Sequence, residues 1–267
     1  MSTNAEPAFS CHDLTVTVPG RTLVESLDMH VKRGDFLAVL GQNGAGKSLT
    51  LHTLAGLRPF DQGEVVLLGE SLTTSRRQDI ARRLALLPQY TEDVFPATVL
   101  DTVLIGRHPH IGRLQWESRE DRQIAIQALQ QMDLDSMQDR NVATLSGGER
   151  RRLAIAQTLT QTPSVYLLDE PTNHLDPQHQ LDVLRVFRQQ AASGAAIVAS
   201  LHDVNLAARY ADKCLLLFGD GRWLLGATES VLSEDRLTKL YGTPMEAVRW
   251  RDSRLFVAAE NTLQIRP

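Results

Sequence analysis

Residues 36–48 read FLAVLGQNGAGKS, and this stretch decides the fold class. The apolar run at 36–40 is typical of a short strand that is buried on both faces. The following GQNGAGKS at 41–48 fits G-x-x-x-x-G-K-[ST], a pattern in which a glycine-rich loop between a strand and a helix holds phosphate groups. The stretch therefore predicts an α/β domain that binds a nucleotide through a phosphate loop, residues 41–48.

The residue types of the phosphate loop suit this chemistry. Gly41, Gly44 and Gly46 allow unusual dihedral angles and let backbone N–H groups come close to phosphate oxygens. Lys47, at the start of the helix, is expected to reach the β- and γ-phosphates, and the Ser48 hydroxyl is expected to ligate Mg²⁺. We predict that the nucleotide also contacts the other residues of this segment: Gln42, Asn43, Ala45 and Leu49.

Two further apolar runs end in groups that can act on a nucleotide. VYLLDE at 165–170 reads as a strand that ends in two carboxylates. We expect Asp169 to hold Mg²⁺ through water and Glu170 to polarise the attacking water. AIVASLH at 196–202 places His202 at another strand end, where the imidazole is expected near the γ-phosphate.

The stretch TLSGGERRR at 144–152 predicts a second anion-binding helix start. Ser146 and Glu149 form the pattern of a capping box. A cap needs neither Gly147 nor Gly148, and each glycine costs about 1 kcal/mol relative to alanine within a helix. Bare N–H groups at this helix start would instead contact a phosphate. If two copies of the chain meet head to tail, each copy covers the ATP of its partner.

The composition excludes several classes of protein. The chain has 267 residues and a net charge of −4, so a bulk electrostatic attachment to nucleic acid is not expected. Cys11 and Cys214 match no metal or redox spacing and are expected to be reduced thiols. The first ten residues do not resemble a signal peptide. The longest apolar stretch, 195–201, is shorter than the roughly 20 residues that cross a bilayer, so a membrane role is expected to come through a partner.

Hydrophobic periodicity predicts β-structure around a helical segment. Residues 11–40 read as β-structure, and the segment between Pro96 and Gln161 reads as helical. This order favours an α/β core with a helical insertion. Further buried strands are predicted at 65–68, 84–87, 165–168, 196–200 and 214–218.

Five separated motifs resemble those of the ATPase subunits of ABC transporters. In chain order they are GQNGAGKS, Gln89 in LLPQY, LSGGE at 145–149, YLLDEPTNHLD at 166–176, and His202. The resemblance covers about residues 10–225 and implies a RecA-like P-loop NTPase core with an antiparallel β subdomain and an inserted α-helical signature subdomain. It implies one ATPase domain at 8–250, with the helical subdomain at about 96–161, and a short C-terminal extension at 226–267.

The same resemblance implies cofactors and partners. ATP and Mg²⁺ are expected to lie between two copies of the chain, docked on a transmembrane permease at the cytoplasmic face of the inner membrane. A substrate-binding protein is expected to act indirectly through the permease. The resemblance assigns Gln89 to sensing Mg²⁺ and the permease, and Asp176 to the contact between subunits. It also places five residues against the nucleotide that the other copy binds: Ser146, Gly147, Gly148, Glu149 and Asp176.

One position departs from the family pattern. The family places an aromatic residue against adenine near the first strands, and this sequence is expected to have Val16 there. No Tyr, Trp or Phe lies between Phe9 and Phe36. A smaller departure is Leu49, where threonine commonly follows the serine. Base stacking is therefore not expected to select ATP, whereas phosphate binding is unaffected.

FPATVLDTVLIGRHPH at 95–110 resembles the corresponding stretch of the ATPase subunits that serve importers of iron–siderophore complexes, haem and vitamin B12. The tail, with LYGTPMEAVRW at 240–250 and a predicted strand RLFVAAE at 254–260, resembles the C-terminal extension of those subunits. His108 and His110 are expected to be structural rather than metal ligands. A soluble ABC ATPase that works without a permease is the alternative, and a permease-docking groove near 89–110 would discriminate between the two. A kinase with a phosphate loop is disfavoured because it has no use for LSGGE.

Overall fold

The computed structural model describes residues 6–60, 62–90, 97–112, 115–251 and 253–259. The strands are β1 (Phe9–Val18), β2 (Arg21–Val31), β3 (Phe36–Leu40), β4 (Gln62–Leu67), β5 (Glu70–Ser71), β6 (Leu84–Leu87), β7 (Val165–Leu168), β8 (Ala196–Ser200), β9 (Lys213–Leu217), β10 (Trp223–Ala227), β11 (Met245–Trp250) and β12 (Ser253–Ala258). The helices are α1 (Lys47–Leu54), α2 (Arg77–Arg83), α3 (Val99–Leu104), α4 (Arg119–Gln131), α5 (Gly147–Thr160), α6 (Pro177–Ala192), α7 (Val204–Tyr210), α8 (Thr228–Val231) and α9 (Glu234–Tyr241).

A six-stranded sheet with the order β10-β9-β3-β8-β7-β6 forms the centre of the molecule. The strands β9, β3, β8, β7 and β6 run parallel, and β10 pairs antiparallel at the edge. Most residues of these parallel strands are buried, as the continuous apolar runs predict. This architecture confirms the predicted α/β fold of a P-loop NTPase.

The two faces of the central sheet are covered by different layers. Along β3, Phe36 and Ala38 belong to the core beneath the helices, while Leu37 and Val39 belong to the core beneath a second sheet. That second sheet is antiparallel, with the order β2-β1-β4-β5. The alternation follows from the two-residue period of a strand, which sends successive side chains to opposite faces.

Two predicted strands have other bounds in the structure. The strand predicted at 65–68 begins three residues earlier, at Gln62, and ends at Leu67, because Leu68 has a φ of +51° and turns the chain into β5. The predicted strand at 214–218 begins and ends one residue earlier, at Lys213 and Leu217. The predicted strands at 84–87, 165–168 and 196–200 have the observed bounds.

Helices α3, α4 and α5 pack together between β6 and β7 in sequence. In the GRHPH run, a Cβ at Gly106 would collide with the carbonyl oxygen of Gln157 on α5, so the close approach requires glycine. The Arg107 guanidinium lies 2.7 Å from Asp121 on α4 and donates to Thr160 O at 3.1 Å. These contacts give the run a packing role. Residues 95 and 96 lie outside the described residues, and the boundaries of the helical subdomain stay a prediction.

The C-terminal segment packs back onto the core. β11 and β12 pair as an antiparallel hairpin. The Asn205 amide of α7 donates to Phe256 O at 3.1 Å and accepts from Phe256 N at 2.7 Å, which ties β12 to the core. The predicted strand at 254–260 is observed as β12, and residue 260 lies outside the described residues. Within the described ranges, every helix is too short or too polar to cross a bilayer.

Candidate nucleotide-binding site

The phosphate loop connects the carboxyl end of β3 to the first turn of α1. Gly44 and Gly46 have φ angles of +78° and +101°, in the left-handed region that favours glycine. Gly41 serves a different purpose from the predicted one, because a Cβ there would lie 2.6 Å from Leu217 O on β9. Its lack of a side chain therefore allows close packing of the loop on the sheet.

Lys47 is the buried cation of the loop. Its ammonium group donates to Gly41 O at 2.9 Å and to Gln42 O at 3.3 Å. Burial lowers the pKa of Lys47, and the nearby carboxylates of Glu170 and Asp169 oppose this shift. The cation thus lies at the loop with carboxylates beside it.

A cavity of about 250 Å³ opens in front of the loop. Its lining joins the phosphate loop to residues that follow β6 and β7: Asn43, Gly44, Gly46, Lys47, Ser48, Leu49, Gln89 and Glu170. Three residues of the predicted phosphate-loop contacts do not line this cavity: Gly41, Gln42 and Ala45. Gly41 and Ala45 are buried, and the side-chain amide of Gln42 lies next to Gly242, where a Cβ would be 3.3 Å away. The parallel strands bring these groups together because their carboxyl ends share one edge of the sheet.

Three side chains hold the Glu170 carboxylate. Gln89 donates to Oε2 at 2.7 Å, and Asn173 donates to the same oxygen. His202 Nε2 lies 2.5 Å from Oε1. Glu170 is 5% exposed and has a φ of +49°, which is uncommon for a residue other than glycine. Gln89 and His202 thus each contact Glu170 directly, on different oxygens of its carboxylate.

Asp169 is fully buried next to Glu170, and one of its oxygens has no protein partner. Ser200 Oγ donates to Asp169 Oδ1 at 2.7 Å and accepts from the backbone N–H of Glu170 at 2.9 Å. Among the described residues, Asp169 Oδ2 receives no hydrogen bond. A buried carboxylate oxygen without a partner is costly, so this atom fits a cation or its water ligand.

Arg151 of α5 lies beneath the same site and is 5% exposed. Burial lowers the pKa of Arg151 to about 10, against the opposing effect of the Asp169 and Glu170 charges. The guanidinium therefore stays charged at neutral pH. The sequence-based prediction missed Arg151, Asn173 and Ser200. The one indication in the sequence that these residues belong to the site was their position within the stretches TLSGGERRR, YLLDEPTNHLD and AIVASLH.

The signature segment, residues 146–149, is built as a capped helix start. Glu149 N donates to Ser146 Oγ at 3.2 Å, and Ser146 N donates to Glu149 Oε2 at 2.7 Å, which confirms the predicted capping box. Hydrogen bonds from the backbone N–H and the side chain of Ser146 to the Glu149 carboxylate lower the pKa of Glu149. A Cβ at Gly147 would meet no atom within 4 Å, and one at Gly148 would make only ordinary contact with His174 O at 3.5 Å.

The structure does not bring the signature segment to the phosphate loop of its own chain. Its residues are absent from the lining of the cavity, and Ser146 and Gly147 are exposed. Asp176 is also exposed and caps α6 by accepting from His179 N at 3.0 Å. The predicted contacts of Ser146, Gly147, Gly148, Glu149 and Asp176 with nucleotide therefore have no basis within one chain.

The assignment of Val16 to the adenine contact is wrong. Val16 is 1% exposed, pairs with Val24 and lies in the core between the two sheets, so it has no surface for a base. Val18, two residues later at the end of β1, is half-buried. His110, which was expected to be structural, has its Nε2 atom 2.9 Å from Gln161 O.

Known proteins share both the sequence and the fold of this chain. The model of the ABC transporter family matches residues 24–173. A hemin import ATP-binding protein of Deinococcus radiodurans is 43% identical over 220 residues, which cover 80% of this chain and 82% of the relative. An achromobactin transport ATP-binding protein of Dickeya dadantii is 38% identical over 228 residues, which cover 85% of each chain.

A solved structure agrees with these sequence matches. The structure of a metal-chelate type ABC transporter in an inward-facing conformation superposes with a TM-score of 0.83. Its sequence is 31% identical, and the superposition covers 96% of this chain and 99% of the other. The similarity therefore extends over both sheets, the helical segment and most of the C-terminal segment.

Proposed function

Because this chain belongs to the ABC transporter family, we propose that it is the ATP-hydrolysing subunit of an importer that takes up a metal chelate through a partner permease. One observation carries the proposal. The phosphate loop, Gln89 and Glu170 line a single cavity at the carboxyl edge of the sheet. This arrangement brings together the cation of Lys47, the amide of Gln89 and the carboxylate of Glu170 at one place, where a nucleoside triphosphate would be bound and hydrolysed.

The chain's own residues can bind the phosphates and prepare the attacking water. Loop N–H groups and the positive end of α1 attract phosphate oxygens, and Lys47 exchanges its two loop carbonyls for them. Glu170 accepts a proton from water as general base. His202 contacts Oε1 of Glu170 and Gln89 donates to Oε2, so both side chains orient the carboxylate.

The residues of the cavity fit Mg²⁺. Asp169 Oδ2 is a buried oxygen without a partner among the described residues, Asp169 is the neighbour of Glu170 in sequence, and Ser48 and Gln89 line the cavity together with Glu170. We propose that these three side chains hold the ion, Asp169 through water. Mg²⁺ would neutralise the charge that develops on the β- and γ-phosphate oxygens.

Two copies of the chain assemble head to tail in this proposal. The signature segment is an exposed helix start, and the open space at Gly147 leaves its backbone accessible to a partner. Each signature segment would cover the γ-phosphate bound by the other copy, with Asp176 at the contact between subunits. A helix N-terminus attracts an anion through its N–H groups and its dipole.

A groove next to Gln89 suits the permease. A cavity of about 370 Å³ lies between the end of β6 and the helices that follow, lined among others by Leu86, Pro88, Ile105 and Pro109. Ile105 is 45% exposed, and Tyr90 beside Gln89 is 71% exposed. A helix of the permease docked here would be adjacent to the residue that holds Glu170.

The cargo class follows from the relatives, because no residue of this chain is expected to touch cargo. One relative is named for hemin and another for achromobactin. We propose that the chelate is an iron–siderophore complex, haem or vitamin B12, delivered to the permease by a substrate-binding protein. The chain would lie at the cytoplasmic face of the inner membrane, attached only through the permease.

Reconstitution with the permease tests this function. Among binding proteins loaded with different chelates, one should stimulate ATP hydrolysis by the assembled transporter. Ile105→Asp should abolish this stimulation and spare the hydrolysis of the isolated chain, because a buried charge opposes docking in the groove. Leu57→Asp is the matched control, since Leu57 is 66% exposed and does not line the groove.

One result would reject the importer, and another would reject the docking groove. The chain would be a soluble ABC ATPase if it hydrolyses ATP but retains no membrane protein on purification. The docking groove would be wrong if Ile105→Asp and Leu57→Asp affect stimulation equally.

A further inference from the structure

One arginine joins three separate parts of the site. Arg151 lies in the second turn of α5, directly after the signature segment. Its Nη1 donates to Pro88 O at 2.7 Å and to Gln89 O at 3.2 Å. Its Nη2 donates to Asp169 O at 2.6 Å and to Glu170 O at 2.7 Å. A single buried cation therefore contacts the backbone carbonyl oxygens of the two residues that follow β6 and of the two acidic residues that follow β7.

The backbone that Arg151 holds is the backbone that aims the catalytic side chains. Glu170 has a left-handed conformation, and the Ser200 hydroxyl accepts from its N–H. Arg151 and the N–H of Asn173 donate to its carbonyl oxygen. The backbone of Glu170 is therefore supported from the end of β8, from α5 and from Asn173, while Gln89, Asn173 and His202 hold its carboxylate.

We propose that Arg151 is a positioning residue that passes displacements of α5 to Gln89 and Glu170. The proposal rests on the proposed ATPase function and deepens it. A guanidinium suits this role because it is planar and its donors have fixed relative directions, so that it can hold two backbone segments at one separation. An ammonium group carries the same charge without this geometry.

Arg152 provides a matched control on the same helix. Its Nη1 donates to Met132 O at 2.6 Å and to Asp133 O at 3.3 Å. Both carbonyls belong to the helical segment, and neither leads to the cavity. Removal of Arg152 therefore costs two hydrogen bonds between a guanidinium and backbone carbonyls without altering the support of Glu170.

The first test compares Arg151→Met, Arg151→Lys and Arg152→Met in the full-length chain without a permease. Misplacement of a catalytic group by about 1 Å costs on the order of 10²-fold, so Arg151→Met should lower kcat by about that factor with a nearly unchanged KM for ATP. Arg151→Lys should fall between Arg151→Met and wild type. Arg152→Met should lose thermal stability but keep a kcat near that of wild type.

The second test asks whether Arg151 acts through Glu170. If it does, Arg151→Met should hardly reduce the residual hydrolysis of Glu170→Gln, because two changes that disable one unit are not multiplicative. A purely structural effect would multiply with Glu170→Gln. A wild-type kcat in Arg151→Lys, or equal losses of kcat in the Arg151 and Arg152 variants, would also overturn the proposal.

Failure of the importer function is distinguishable from failure of this inference. Neither test uses a permease or a chelate, so a wrong cargo or a missing permease leaves both results unchanged. If Arg151→Met does not fold, Arg151→Lys decides, because it keeps the charge and the apolar stem of the side chain.

Discussion

The chain has two glycine-containing helix starts with opposite surroundings. The first turn of α1 is enclosed: Lys47 is 5% exposed, and Gln89 and Glu170 complete the cavity in front of it. The start of α5 is open, and a Cβ at Gly147 would meet nothing within 4 Å. Both helix starts have the N–H groups and the dipole that attract an anion.

The difference lies in what surrounds each helix start. Around α1, the chain supplies a cation from α1 itself, Lys47, and two buried carboxylates that follow β7, Asp169 and Glu170. At α5 the described part of the chain supplies a capped helix end, where Ser146 and Gly147 are exposed. This contrast supports the proposal that the α5 start completes a site on another copy.

The largest expected effect tests the enclosed site. Glu170→Gln should retain ATP binding and lose on the order of 10²–10⁴-fold in hydrolysis, because an amide cannot accept the proton of the attacking water. The variant should also accumulate as an ATP-bound dimer. Single-turnover hydrolysis and size-exclusion chromatography measure the two effects. Turnover near that of wild type would remove Glu170 from its role as base.

The second effect tests the open helix start. Gly148→Asp should leave the monomer folded, because a Cβ there makes only ordinary contact with His174 O. A carboxylate about 4 Å from a phosphate charge costs about 4 kcal/mol at an effective dielectric constant of 20, or roughly 10³-fold in ATP-driven dimerisation. Gly148→Ala should have a smaller effect, since it adds no charge. A melting temperature of Gly148→Asp far below that of wild type would show that the glycine serves the fold.

The third effect concerns the β layer next to α1. Val16→Tyr should reduce the free energy of unfolding by about 1–3 kcal/mol, because an overpacked core is strained. It should not tighten ATP binding, since Val16 lies between the two sheets. Denaturant titration and ATP titration measure these quantities, with Val18→Tyr at the half-buried strand end as control. Tighter ATP binding in a stable Val16→Tyr variant would restore Val16 to the adenine contact.

The smallest effect concerns Asp121 of α4, a helix that packs against α5. The Ser118 hydrogen bond and the Arg107 guanidinium lower the pKa of Asp121 to about 2. Because the folded pKa is below the ordinary value of about 3.9, this carboxylate stabilises the fold above pH 4 and loses that contribution as the pH falls towards 2. Asp121→Asn should therefore lose stability at pH 7 and show a weaker decline between pH 4 and pH 2. Equal acid sensitivity in the variant and the wild type would contradict this.

The sequence predicted those parts of the fold and site whose chemistry depends on local spacing. Continuous apolar runs gave the parallel strands, and the polar residues that follow them mark one edge of the sheet. The bonds of Arg151 and Ser200 are different, because they join positions 18 to 63 residues apart and leave no periodic pattern. The wrong assignment of Val16 has a different cause. Val16 and Val18 are two residues apart, so the alternation of a strand does not separate them; only the position of the strand end places Val16 in the core and Val18 at the half-buried end.

A mixed dimer tests the head-to-tail account most directly. Lys47→Ala damages the phosphate loop, and Gly148→Asp damages the signature segment, so neither variant should close with ATP by itself. In a heterodimer with two different affinity tags, head-to-tail pairing places both lesions in one site and leaves the other intact. Crosslinking across the two sites should then show ATP-driven closure of the heterodimer and of neither homodimer. A heterodimer that stays as open as both homodimers would contradict the claim that the signature segment completes the site of its partner.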